Sequence, residues 1–251
     1  MHTPSVSIIT VTYNAEQVLP TTLEAVAALD WPSVEHIVVD GQSTDRTLEL
    51  IHAAEHRPIT RWISEPDNGI YDAMNKGQAL ATGDYLWFMN AGDTPADPHT
   101  LRTAFARNPR ADLIYGDALI VDAQRRVLGR RSHKPLPKNL TLQDFQWGMV
   151  VCHQSMIVRR ELSPAYAPNL RYVADIDWAI RVLKQKPTVQ YCPEPLCRYL
   201  VGGFSTRHQR ASFLERYEVL RSHYGTLPNI LTHIGILGSY ALKRLRGRPT
   251  H

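Results

Sequence analysis

The chain has 251 residues, a formal net charge of +4 and a sequence pI of about 9.0, with 43% hydrophobic and 21% charged residues. That is an ordinary globular composition, long enough for one large domain or two small ones. Three cysteines, Cys152, Cys192 and Cys197, with no short paired spacing exclude a disulfide framework and a zinc site.

There is no basic, small-residue-terminated leader and no apolar run near the ~20 residues of a membrane span. No internal repeat or low-complexity segment appears. The expectation is a cytoplasmic protein with reduced thiols. The modest basic excess suits anionic ligands or an anionic membrane surface.

Residues 6–11 are β-branched and apolar and predict a first strand, broken by Tyr13-Asn14. Pro20 opens a helix with apolar positions Leu23, Val26 and Ala27, running towards Trp31 before Pro32 stops it. Residues 35–40 form a second strand ending on Asp40. Thr44 or Asp45 caps a helix over 46–55. Residues 59–64 form a short third strand. A polar loop, Glu65-Pro66-Asp67-Asn68-Gly69, then leads into a helix containing Asp72 and Lys76. Residues 85–89, Tyr-Leu-Trp-Phe-Met, have no polar member and predict a strand covered on both faces. This strand ends on Asn90-Ala91-Gly92-Asp93. The alternation predicts a parallel, Rossmann-like α/β sheet, whose ligands bind at the carboxyl ends of strands.

The second half predicts a helix over 101–107, strand segments at 112–117 and 118–122, and a hairpin partner at 124–131. It continues with a loop over 132–139 and a strand over 150–158 that includes His153-Gln154. A helix follows over 173–186, then a strand over 188–192, a glycine-hinged loop over 200–205 and a charged helix over 207–224. The tail, 227–248, joins apolar Ile230, Leu231, Ile234, Leu237 and Leu242 to a basic cluster from Lys243 to Arg248. Such a tail lies on an anionic membrane surface or docks on the domain with its charges in water. The expected division is 1–95, a nucleotide-binding half; 96–226, a second half of the same domain; and 227–251, a C-terminal tail.

Four acids, Asp40, Asp93, Asp175 and Asp177, each close a strand or open a helix. Alone, each is an ordinary cap or turn residue. In order, they suit a ribose or base contact, a cation at a diphosphate, and a general base.

The ordered set Ile8-Ile9-Thr10-Val11-Thr12-Tyr13-Asn14, Val38-Val39-Asp40-Gly41-Gln42-Ser43-Thr44-Asp45, Asn75-Lys76-Gly77, Ala81-Thr82-Gly83-Asp84-Tyr85 and Asn90-Ala91-Gly92-Asp93 resembles a family 2 glycosyltransferase of GT-A fold. Ala174-Asp175 with Trp178 and Arg181, then Gly202-Gly203-Phe204-Ser205, resemble later signatures of the family. The likeness is nearest to small bacterial enzymes building exopolysaccharide, O-antigen or glycolipid sugars. It implies inverting transfer from a nucleotide diphosphate sugar, most commonly a UDP-sugar, to a hydroxyl of a saccharide or lipid-linked acceptor, with Mn2+ or Mg2+ as cofactor. The resemblance makes 1–95 the nucleotide-sugar-binding half and 96–226 the acceptor-binding half of one GT-A domain, and by position Val11, Tyr13, Asn14 and Asp40 belong to the nucleoside site. Asn90, Ala91 and Gly92 fall on the family's Asp-x-Asp motif, and Asp93 just after it is left as the metal ligand. Asp175 matches the base and Asp177 is the alternative. Two residues apart on a helix, they point in different directions.

Lys76 and Arg207 are candidate phosphate contacts, and Asp72 is a candidate donor or acceptor contact; each is equally read as a solvated surface charge. His153-Gln154 is a candidate acceptor contact, although a buried, bonded histidine is the commoner outcome. Trp147 and Trp178 could stack on sugar rings but are more often core residues. The missing motif acids leave a catalytically degenerate nucleotide-sugar-binding partner of a polysaccharide-synthesis complex as the alternative reading. No glycine-rich phosphate loop follows the first strand, which argues against a nucleotidyltransferase and excludes a P-loop kinase.

Overall fold

A computed structural model describes residues 3–54, 59–132, 135–202 and 209–245, with side chains for all of these except 209 and 236–245. β1 (Val6–Thr12) pairs in parallel with β2 (Val34–Asp40) on one side and β4 (Tyr85–Phe88) on the other. β3 (Arg61–Ser64) adds to β2, also in parallel. The crossovers between these strands carry α1 (Leu19–Ala27), α2 (Thr47–Ala53) and α3 (Ile70–Leu80).

The second half completes the same sheet. β6 (Leu113–Tyr115), β9 (Met156–Arg159) and β10 (Val189–Tyr191) give the order β10-β6-β9-β4-β1-β2-β3, with β9 antiparallel to both its neighbours. All seven residues of β1 and all four of β4 are buried, as continuous apolar runs in a doubly covered sheet require. Trp87 on β4 has no exposed surface, and its indole N–H donates to the Gln154 carbonyl at 2.7 Å. Truncating such a side chain to Ala costs about 3–5 kcal/mol.

A smaller sheet stands beyond the carboxyl ends of the main strands. Its order is β5 (Thr94–Pro95), β11 (Cys197–Leu200), β7 (Ala118–Val121), β8 (Val127–Arg130). The two segments predicted at 112–122 therefore part company at Gly116 and serve different sheets. A Cβ on Gly116 would lie 2.9 Å from Leu196 and 3.0 Å from the Glu194 carbonyl. The remaining helices are α4 (Thr100–Phe105), α5 (Ala174–Lys184), α6 (Gln209–Tyr224) and α7 (Thr226–Leu245).

Two local expectations are corrected. The strand expected over 150–158 begins only at Met156, because His153–Ser155 form a 3-10 turn closed by the Ser155 N–H on the Cys152 carbonyl at 2.8 Å. A strand there would have driven polar His153 or Gln154 into an apolar layer; the turn lets both find partners. The first helix stops at Ala27 rather than near Trp31. Trp31 instead stacks on Phe105 at 5.1 Å and donates its indole N–H to the Pro4 carbonyl at 2.9 Å. Gly203, Phe204, Ser205 and Arg207 lie outside the described residues.

Candidate active site

The loops that follow β1 and β2 build the first part of the candidate site. Tyr13 follows β1 with its ring 62% exposed, a flat apolar surface facing water. Gly41 follows β2 and packs beneath it: a Cβ there would lie 2.4 Å from Asp67 Oδ2 and 3.4 Å from the Tyr13 ring. Tyr13, Gly41 and Asp67 therefore meet at one spot. Asp40 is fully buried. Its Oδ2 accepts from the Ser43 N–H at 2.9 Å and the Ser64 hydroxyl at 2.7 Å, and its Oδ1 accepts from the Ser43 hydroxyl. Asn14 staples the two loops, its N–H donating to Ser43 Oγ and its Oδ1 accepting from the Thr44 N–H, both at 2.8 Å. The Val11 carbonyl accepts the Ala91 N–H at 3.1 Å, tying the end of β1 to the turn after β4.

That turn carries Asn90, Ala91 and Asp93. Asn90 Oδ1 is buried without a hydrogen-bond partner. Asp93 is also buried; its Oδ1 accepts the Leu200 N–H and its Oδ2 the Gln154 amide, each at 2.9 Å. Burial pushes its carboxyl up to about 7, against the pull of those two donors. The Cys152 thiol donates to Gln154 Oε1 at 2.5 Å, which fixes the amide end that faces Asp93. Arg125, from the β7–β8 hairpin, donates to the Gly92 carbonyl at 2.6 Å and feels the Asp93 charge.

Lys76 and Asp72 sit apart from this turn, on α3. The Lys76 ammonium contacts Glu65 at 2.9 Å and Asp72 at 3.7 Å, and donates to the Pro66 carbonyl at 2.6 Å. Asp72 also accepts the Asn68 N–H at 3.0 Å. Both side chains thus brace the 65–72 loop that presents Asp67.

α5 supplies the third part. Asp175 lies in its first turn, 22% exposed, with Oδ2 3.4 Å from His153 Nδ1 and Oδ1 accepting from the Tyr71 hydroxyl at 3.3 Å. Burial works to lower the His153 pKa, but the hydrogen bond and charge of the Asp175 carboxylate lead the effects that outweigh it, and the net shift is upward. Glu215, on α6, receives the N–H groups of Arg171, Tyr172 and Val173 at 2.8, 2.6 and 2.8 Å, so one carboxylate caps the approach to α5 from another helix.

Asp177 does not join this site. Its Oδ2 accepts from Arg181 Nε and its Oδ1 meets His223 Nε2, both at 2.7 Å. Burial alone would raise its pKa; the His223 and Arg181 contacts reverse that and hold it below the usual carboxylate value. It ties α5 to α6, as a buried, fully partnered carboxylate does. Trp178 is fully buried and stacked on Tyr166, a core residue, whereas Trp147 is 59% exposed.

The sequence model of glycosyl transferase family 2 matches residues 7–166, well over half of the chain. The chain belongs to glycosyl transferase family 2. The glycosyltransferase is 33% identical over 226 residues to the PGL/p-HBAD biosynthesis glycosyltransferase of Mycobacterium bovis, covering 86% of this chain and 85% of that one. It is 40% identical over 216 residues to an uncharacterized glycosyltransferase of Mycobacterium tuberculosis, covering 82% and 79%. Among solved structures, S. aureus TarS 1-349 in complex with UDP-GlcNAc superposes with a TM-score of 0.70 at 20% identity, over 86% of this chain and 64% of that one. The mannosyltransferase PcManGT from Pyrobaculum calidifontis, in complex with GDP-Man and Mn2+, gives 0.64 at 18% identity, over 97% and 76%. The fold is GT-A.

Four residues of this glycosyltransferase escape a reading of the sequence. Asp67 sits in a loop that reads only as polar. Tyr71 reads as an apolar position of α3. Arg125 reads as hairpin, although its φ of +63° in the tight β7–β8 turn is what aims it at Gly92. Glu215 is one charge among many on α6. No local signal separates them, because each acts across a contact made only in the fold.

Proposed function

We propose that this glycosyltransferase moves a sugar from a nucleotide diphosphate sugar to a hydroxyl of a saccharide or lipid-linked acceptor by direct, inverting displacement, with Asp175 as general base. The observation that carries this reading is a pair of neighbours. His153 holds Asp175 and Gln154 holds Asp93, so one short turn links the carboxylate proposed for the acceptor side to the one proposed for the diphosphate side. An acceptor hydroxyl at Asp175 would lose its proton as its oxygen attacks the anomeric carbon, while the bond to the diphosphate breaks on the opposite face. His153 and Tyr71 orient the carboxylate for that transfer.

In the nucleoside part, Tyr13 would stack on the base and Asp67 would meet its edge, with Asp40 and Asn14 holding the loops that carry them. UDP is the base proposed first; TarS was solved with UDP-GlcNAc, while PcManGT was solved with GDP-Man.

The residues at the Asn90–Asp93 turn fit a cation carried mainly by the donor. They offer one carboxylate and one partnerless buried amide oxygen, and among the described residues no group of three His, Cys, Asp or Glu could hold a metal ion unaided. Mg2+ or Mn2+ bound through one carboxylate plus substrate phosphates matches that donor set. Such an ion, when bound, would act as a Lewis acid on the leaving diphosphate. A site at the inner face of the plasma membrane, in a polysaccharide or glycolipid pathway, is part of the same reading.

The test is Asp175→Asn. Transfer should fall by about 10^2 to 10^4, while UDP affinity by calorimetry stays within about twofold and the melting temperature holds. The product's anomeric configuration, read by NMR coupling, should be opposite to the donor's. An active Asp175→Asn protein, or a product of retained configuration, removes the proposal. A wild-type chain that binds donor but never transfers would instead be a degenerate partner.

A further inference from the structure

Over residues 226–235, where its side chains are described, α7 is amphipathic in the opposite sense to a helix docked on a protein core. The side chains it turns inward are polar. Asn229, Thr232 and His233 are 2%, 6% and 5% exposed. Asn229 Nδ2 donates to the Tyr217 carbonyl at 3.0 Å, and the His233 ring sits edge-on to Phe213 and Tyr217. The side chains it turns outward are apolar. Leu227, Leu231 and Ile234 are 69%, 62% and 62% exposed, and their i, i+4, i+7 spacing puts them on one stripe. Trp147 extends this patch from the side: a Cβ on Gly235 would lie 2.9 Å from its ring, yet the ring remains more than half exposed. A contiguous apolar patch of this kind marks a binding surface.

The charge of the same segment says what covers it. Residues 226–251 hold Lys243, Arg244, Arg246 and Arg248 and no Asp or Glu. Their +4 equals the formal net charge of the whole chain, so residues 1–225 sum to zero. The basic excess is concentrated at the far end of the helix whose outer face is apolar. A second copy of the chain would bring the same unopposed charge, and α7 has no acid to meet it. An anionic lipid surface supplies both an apolar layer and negative headgroups. Among the described residues, no helix is long and apolar enough to cross a membrane.

We infer that α7 docks the protein on an anionic bilayer, lying in its plane with Leu227, Leu231, Ile234 and Trp147 at headgroup depth, and that the positive charge of the C-terminal sequence favours anionic lipid. Trp147 suits that depth because its ring is apolar with one polar N–H. This deepens the membrane part of the proposed function and rests on it, not on the transfer chemistry.

The experiment is flotation of the full chain with vesicles of phosphatidylcholine alone and of phosphatidylcholine mixed with phosphatidylglycerol. The protein should float with the mixed vesicles at low salt, several-fold less with phosphatidylcholine alone, and be released by high salt. The Leu231→Glu/Ile234→Glu variant, at exposed positions and with an unchanged melting temperature, should lose about tenfold or more in vesicle affinity. Lys243→Ser/Arg244→Ser should lose several-fold on mixed vesicles only, and tests the inference independently if the first variant does not fold. A wild-type protein that floats with neither vesicle overturns it, as do variants that float like the parent. So does a dimer in sedimentation velocity that Leu231→Glu/Ile234→Glu splits, which would assign the face to a second copy.

Discussion

Glu215 on α6 accepts the backbone N–H of Val173, the residue immediately before α5, at 2.8 Å. With Arg171 and Tyr172 on the same carboxylate, the chain entering α5 is held from another helix, two residues before the proposed base. Glu215→Ala should cost about 2–3 kcal/mol, since three charge-assisted bonds lose their acceptor. In a denaturant melt the midpoint should fall with an unchanged slope. Transfer should fall in kcat more than in donor KM, and Glu215→Gln, which keeps one acceptor oxygen, should recover part of both. A loss of stability with normal kcat would confine Glu215 to a purely structural role.

Asp177 and Asp175 should separate cleanly. Asp177→Asn disturbs the contacts to Arg181 and His223 that tie α5 to α6. It should lower the melting temperature while the folded protein keeps transfer within a few-fold. Asp175→Asn should do the reverse. If Asp177→Asn folds normally and is inactive, the base assignment moves to Asp177.

Gly41→Ala tests the proposed nucleoside site. The added methyl would fall 2.4 Å from Asp67 Oδ2, so Asp67 must move from its place beside Tyr13. Donor KM should rise about tenfold, roughly the 1–2 kcal/mol of one displaced polar contact, with kcat nearly unchanged. An unaltered KM would show that Asp67 takes no part in binding the base.

His36 gives a pH dependence. It is buried between β1 and β3, its Nε2 2.9 Å from Thr10 Oγ1 and its Nδ1 without a partner. Burial pushes its pKa down from 6.5 to about 3. Below pH 6.5 the unfolded chain takes up a proton that the folded one refuses, so stability falls as pH drops from 6.5 towards 3. At pH 5 the loss is about 2 kcal/mol. Denaturant melts between pH 7 and pH 4.5 should show this slope, and His36→Gln should remove its share. An identical slope in the variant would mean that other groups carry the acid sensitivity.

Much of the fold was legible because its signals are local. β1, β2 and β4 announce themselves by apolar runs of strand length, and the alternation with helices implies a parallel sheet. The candidate carboxylates were legible as well, since Asp40, Asp93 and Asp175 end strands or open a helix. Their partners were not. Whether Asp93 meets solvent or Gln154, and whether Asp177 faces His153 or His223, depends on which segments pack beside them. The turn at His153–Ser155 reads as strand in the sequence because its polar side chains find their bonds only across the sheet junction.

The amino-acid sequence by itself determined the alternating α/β architecture, the order of the motifs and the concentration of positive charge in residues 226–251, because periodicity, turn chemistry and composition are properties of neighbours along the chain. Only the tertiary structure decided which carboxylates share one turn, which helix clamps α5, and which face of α7 is left to the outside. Those outcomes depend on long-range packing, where most buried polar groups find their partners in distant parts of the chain.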